Sequence, residues 1–170
     1  MLSIVWVLFA GLMLSAAVFD LFTYRIPNLL VLAVLTVFAV VAVLHRSEVS
    51  WLSHAGAFAI VLGAGIFLYA VGQMGAGDVK LLAAVALWSG SLYATFALLF
   101  WVSLCGLAGM LVILLIRSLA PRLGQVPEPK SLPRVLQKKQ GIPYGIGIGP
   151  GAIIASLSLP PLNFPPWLWQ

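Results

Sequence analysis

At 170 residues, 62% of them hydrophobic and only 8% charged, the chain is far poorer in charge than a soluble domain, in which about a quarter of residues are charged. That composition excludes an ordinary soluble fold, and a single cysteine, Cys105, excludes disulfides and cysteine-based metal sites within one chain. The net charge of +5 does not point to nucleic acid, because the basic residues gather in one loop, as membrane orientation requires.

Residues 2–19 read as a first membrane span, about 27 Å of helix. No Lys or Arg precedes this apolar stretch and no convincing cleavage site follows it, so it reads as retained rather than as a secretory signal. A short loop is expected over residues 20–28, Asp-Leu-Phe-Thr-Tyr-Arg-Ile-Pro-Asn. Pro27 cannot sit comfortably inside a helix and marks the start of the next one. Residues 29–44 form a second span, residues 45–53 a polar turn with Arg46 and Glu48, and residues 55–71 a third span. In that third span Gly56, Gly63 and Gly65 allow close helix approach.

The Gly-rich turn Met74-Gly75-Ala76-Gly77-Asp78-Val79-Lys80 follows. Residues 79–116 are too long for one span, at roughly 57 Å. Ser89-Gly90-Ser91 is the natural break, giving a short fourth span and a long fifth over residues 92–116. Residues 117–141 are the extended polar segment, with Arg117, Arg122, Lys130, Arg134, Lys138 and Lys139 against one acid, Glu128. Residues 142–159, opened by Pro143 and rich in glycine, form the sixth span. Trp167 and Trp169 in the tail suit the membrane interface.

The expected architecture is an all-α integral membrane protein, a bundle of six transmembrane helices in one domain over residues 1–170. With six spans, Arg25, Lys80 and the basic loop fall on one side and Arg46 on the other. The positive-inside rule then puts the loops holding Asp20 and Asp78 in the cytoplasm and both termini outside. Two spans separate Asp20 from Asp78, and an even number returns the chain to the same face.

An acid beside a membrane span is costly unless something pairs or uses it. The plainer role for Asp78 is a solvated helix start, where aspartate is favoured in any case. Two carboxylates close together cannot both ionise cheaply and share a proton. One can take a proton from water while the other donates to a carbonyl oxygen, which is aspartic-protease chemistry. A metal site is not expected: two carboxylates are a thin ligand set, and His45 and His54 fall on the opposite face. No cofactor is expected.

Gly75-Ala76-Gly77-Asp78 is a GxGD motif, and with Lys80 it resembles the GxGDxK form of the type IV prepilin peptidases. Asp20 followed by Arg25-Ile26-Pro27-Asn28 resembles that family's first catalytic segment, and residues 142–151 resemble its last span, with Gly149-Pro150 a looser match where small residues such as alanine are expected. The resemblance implies an inner-membrane aspartic endopeptidase that cuts prepilin-like precursors on the cytoplasmic side, with Asp20 and Asp78 as the catalytic pair. Larger members carry a four-cysteine cytoplasmic region and methylate the new N-terminus. This chain looks like the short form that serves tight-adherence and Flp-type pili, so methyltransferase activity is not carried over.

Gly75, Gly77, Lys80, Arg25, Pro27, Asn28 and Tyr144 are the candidate substrate-binding or supporting residues. Several have plainer roles: Lys80 as a snorkelling anchor, Arg25 as an orientation signal, Tyr144 as an interfacial tyrosine. Gly75 and Gly77 suit backbone that approaches a substrate strand. The basic loop suits anionic lipid. Two other functions compete: a proton- or ion-coupled transporter subunit with the acids lining its path, and a catalytically silent pilus-assembly protein. Residues 79–89 give only about 17 Å of helix against a hydrocarbon core of about 30 Å. Asp78 is therefore expected to be recessed in a hydrated pocket; alternatively the helix continues through residue 91 and breaks near Tyr93 or Thr95.

Overall fold

A computed structural model describes residues 4–47, 49–119 and 144–158. Within them lie six helices and no strand: α1 (Ile4–Thr23), α2 (Asn28–Leu44), α3 (Trp51–Ala70), α4 (Ala76–Ser89), α5 (Leu92–Leu119) and α6 (Gly145–Ser158). Glu48, Glu128, the basic residues after Arg117, Pro143, Trp167 and Trp169 lie outside the described residues. Three helices, α1, α3 and α5, are long and apolar enough to cross a membrane. The helix count thus matches the expectation, while length and composition qualify only half of the helices as spans; α2 has 17 residues and α4 and α6 have 14 each.

The helix ends follow caps rather than the limits of apolar runs. The loop expected from Asp20 is a correction: α1 continues to Thr23, so Asp20 lies inside its last turn. Tyr24 ends the helix in the left-handed conformation, φ 56°, and its N–H closes on the Asp20 carbonyl at 2.9 Å. That is a left-handed C-cap made by a bulky residue, which carries a backbone cost of about 1–3 kcal/mol. The Thr23 hydroxyl ties the exit, donating to the Phe19 carbonyl at 2.7 Å and accepting the Arg25 N–H at 3.3 Å. Pro27, extended at φ −61° and ψ 134°, then caps α2. At the end of α3, Gly72 at φ 74° completes a Schellman motif: Gln73 N–H reaches the Leu68 carbonyl and Gly72 N–H reaches that of Tyr69. The break before α5 is where the sequence placed it, with Gly90 left-handed at φ 66°.

α4 is the axis of the bundle and packs against α2, α3, α5 and α6. Leu81, Ala83, Ala84, Val85, Ala86 and Trp88 are fully buried. Alanines on α4 let its neighbours come close, and neighbouring helices supply the matching small residues. A Cβ on Gly65 of α3 would stand 2.6 Å from Val79. The glycines of α6 do the same work on two faces. Gly147 and Gly151 lie against Gly106 and Val102 of α5, and Gly149 lies against the Met13 carbonyl of α1. Leucine, valine and phenylalanine cover the outside, with Leu29, Leu52 and Phe96 largely exposed. Buried polar groups inside and apolar side chains outside suit lipid rather than water.

Candidate active site

The end of the bundle where α1 finishes and α4 begins collects most of the residues singled out in the sequence. Asp20 is 4% exposed and Asp78 is 9% exposed. They are 58 positions apart in sequence, yet the two carboxylates lie within electrostatic reach of each other. Burial of two acids this apolar a chain could have left in water is the feature to explain, since each removes a charge from solvent.

Each carboxylate sits at a helix N-terminus. Asp78 is the third residue of α4, whose N-cap is Gly75, and it accepts the Gly75 N–H. That is the return half of a capping box, in which the third helical residue satisfies the N-cap N–H. The Asp78 Oδ1 atom is buried and has no hydrogen-bond partner among the described residues. Asp20 reaches a different helix: its Oδ2 accepts the Gly145 N–H, at the first residue of α6, at 2.6 Å.

The supporting residues form a collar around this pair. Gly77 packs on the chain between α1 and α2, where a Cβ would stand 3.3 Å from Ile26 Cβ and 3.5 Å from its backbone N and O. Lys80 Nζ donates to Asn28 Oδ1 at 3.3 Å, which joins the start of α2 to the first turns of α4. Gly75 needs to lack a side chain because a Cβ there would stand 2.7 Å from the Asp78 carboxylate. Pro27 holds the turn by capping α2. Arg25 is exposed and meets this end of the bundle through its main chain. Tyr144 is half exposed at the entry to α6. His54 lies at the other end of α4, with Nδ1 2.7 Å from the Leu87 carbonyl, so it stands apart from the acids as parity requires.

Three residues have a role in the site that the sequence did not give them. Gly145 supplies the N–H to Asp20. Tyr24, four residues past Asp20, hydrogen-bonds Arg117 at the C-terminal end of α5. Burial pushes the Tyr24 phenol above its ordinary value and the Arg117 charge opposes that shift. Ile26 forms the seat for Gly77. For Gly145 the available signal was the alternation of glycine at positions 145, 147, 149 and 151. At 3.6 residues per turn, such alternation puts glycine on two faces, each with a four-residue repeat.

An apolar helical bundle with three helices long and apolar enough to cross a membrane, and two carboxylates buried at one end, defines a membrane protein with a buried acid pair. The type IV leader peptidase family model matches residues 7–117, about two thirds of the chain, and the protein belongs to that family. The match contains both aspartates and stops before α6. No curated protein and no solved structure matched the sequence.

Proposed function

We propose that the protein is an aspartic endopeptidase that removes the leader peptide from prepilin-like precursors at the cytoplasmic face of the inner membrane. The observation that carries this is the burial of Asp20 and Asp78 together, from two distant segments, at one end of the bundle. A carboxylate pair sharing one proton is an acid and a base in one site. One member removes a proton from water as the water oxygen attacks the scissile carbonyl carbon. The other gives its proton to the carbonyl oxygen. Collapse of the tetrahedral intermediate breaks the C–N bond and returns a proton to the departing amine.

Gly75 leaves room beside the Asp78 carboxylate for an extended substrate backbone, Gly77 seats the start of α4 on Ile26, and an apolar substrate segment stays in lipid beside the bundle. Lys80 and Asn28 hold the collar closed. With six spans, the excess of Lys and Arg around Arg25, Lys80 and Arg117 faces the cytoplasm. Asp78 is recessed from the open surface, in a hydrated pocket. The chain acts on the peptide bond alone and does not methylate its product.

The test is co-expression with candidate precursors, followed by N-terminal sequencing of the product. Cleavage by the parent and none by Asp20→Asn or Asp78→Asn is the expected result. A variant that kept near-normal turnover would remove its aspartate from the pair. Thiol labelling across residues 73–82 in a Cys105→Ser background tests the recess. Small impermeant reagents should label Gly77→Cys and Val79→Cys faster than bulky ones do, and equal rates would put Asp78 at the open surface.

A further inference from the structure

Asp20 and Asp78 are the only aspartates in the chain, and their surroundings differ. Asp20 Oδ2 accepts the Gly145 N–H at 2.6 Å. That N–H lies in the first turn of α6, where helical N–H groups lack a carbonyl partner within their own helix. Asp20 therefore serves as an N-cap lent by another helix, and the positive end of the α6 dipole falls on its carboxylate. A charge-assisted bond of this kind is stronger to the carboxylate than to the neutral acid. Asp78 has a helix N-terminus as well, its own, and the Gly75 N–H. The remaining oxygen separates the two. Asp78 Oδ1 is buried and accepts nothing among the described residues, and no Asp20 oxygen is in that state. A buried, unmatched carboxylate oxygen is costly as an anion, and a proton bound to it lessens that cost.

We propose that Gly145 is a positioning residue of the pair: its N–H holds Asp20 as the carboxylate that takes a proton from the attacking water, while Asp78 carries the shared proton and gives it to the carbonyl oxygen. This rests on the aspartic-peptidase reading above. The steps balance. The water oxygen bonds to the carbonyl carbon as one water proton passes to Asp20 and the Asp78 proton passes to the carbonyl oxygen. In the collapse, a hydroxyl proton of the intermediate returns to Asp78, the C–N bond breaks, and the Asp20 proton leaves on the new amine.

Among the described residues, few other charges act on the pair. Tyr24 lies within electrostatic reach of Asp20 and bonds Arg117 of α5. Lys80, the other titratable group of α4 besides Asp78, donates to Asn28. α2 and α6 carry no titratable side chain, and the titratable groups of α3 are His54, at the far end of α4, and the exposed Tyr69. Gly145 also has no tolerance for a side chain, since a Cβ there would stand 2.6 Å from Asp20 Cβ and 2.7 Å from its Oδ2.

Two aspartates make the test direct. The full chain, labelled with carbon-13 at the aspartate carboxyl and held in lipid nanodiscs, gives two carboxyl resonances, which the Asp78→Asn spectrum assigns. As pH rises, the Asp20 signal is expected to move to the carboxylate position before that of Asp78. Asp78 ionising first, or both moving in one step, would overturn the proposal. In Gly145→Ala the two steps are expected to draw together. Cleavage by that variant is expected to fall about 100-fold in kcat, the scale of a small misplacement, and the acid limb of its pH–rate profile is expected to move to higher pH. A loss of rate with the acid limb unmoved would make Gly145 merely structural. If Gly145→Ala does not fold, the parent titration alone decides which acid holds the proton. Failure of the parent to cut any precursor would sink the peptidase reading instead, and the order of titration is measured without substrate.

Discussion

At its C-terminal end α4 places Trp88 between Phe9 and Phe38, with ring centroids 5.0 and 5.6 Å away. His54 packs its ring at a tilt against Phe38 and bonds the Leu87 carbonyl, and the Ser89 and Thr95 hydroxyls meet at 2.6 Å. Toward its N-terminal end, about three turns away, the same helix has a buried aspartate with an unmatched oxygen and glycines around it, and a left-handed Tyr24 follows the partner Asp20. One end spends its burial chiefly on aromatic contact, which stabilises the bundle. The other holds groups whose unmet hydrogen-bonding capacity is useful only to a reacting partner. A helix of 14 residues thus joins an aromatic anchor to the candidate site.

Substitutions at the two ends are expected to separate stability from turnover. The largest effect is at Asp78→Asn: cleavage should fall on the order of 10⁴-fold or more, as for removal of one member of a catalytic unit. Its unfolding midpoint in detergent should stay near that of the parent, because the amide, like the protonated acid, puts no charge at the buried position. A large loss of stability would show the acid to be structural. Trp88→Ala should do the reverse, costing about 3–5 kcal/mol of stability through the cavity it leaves. Assayed where the variant is still folded, it should keep kcat within a few-fold of the parent; a selective loss of kcat would couple the two ends.

Gly77→Ala sharpens the comparison at the collar. The added Cβ meets Ile26 at its Cβ and main chain, 3.3–3.5 Å away, so trimming Ile26→Ala leaves the contact in place. Turnover should drop by about tenfold, a barrier change of about 1.4 kcal/mol, and the double variant Gly77→Ala/Ile26→Ala should not recover it. Recovery would mean that side-chain bulk alone sets the seat. The smallest change is expected at Lys80→Met. It loses one exposed hydrogen bond to Asn28, of about 0.5–1.5 kcal/mol at most. Cleavage should fall less than tenfold, and a loss as deep as that of Asp78→Asn would place the ammonium in the chemistry.

Much of this arrangement is legible in sequence because it depends on counting. Asp20 and Asp78 share one end of the bundle because an even number of apolar runs lies between them. Pro27 and Gly90 mark helix boundaries through fixed backbone preferences, and both fall where expected. Asp20 within a helix was less visible, since the terminator is Tyr24, a residue rarely left-handed. The contact between Asp20 and Gly145 was out of reach: a backbone N–H has no side-chain signature, and its partner is set by how α6 packs on α1. The span count is harder for a related reason. The apolar content of α4 serves contact with four neighbouring helices rather than with lipid, and hydropathy does not distinguish the two.

The hydrogen bond from Gly145 to Asp20 links residues 125 positions apart. Chains are made from the N-terminus at about 5–20 residues per second, so α1 and α4 exist for seconds before α6 is synthesised. During that interval both aspartates are present and Asp20 lacks its main-chain donor. The geometry of the proposed catalytic pair is therefore assembled late, by the last of the described helices to be made, and a nascent chain, or one truncated before α6, carries the pair without the donor that orients it.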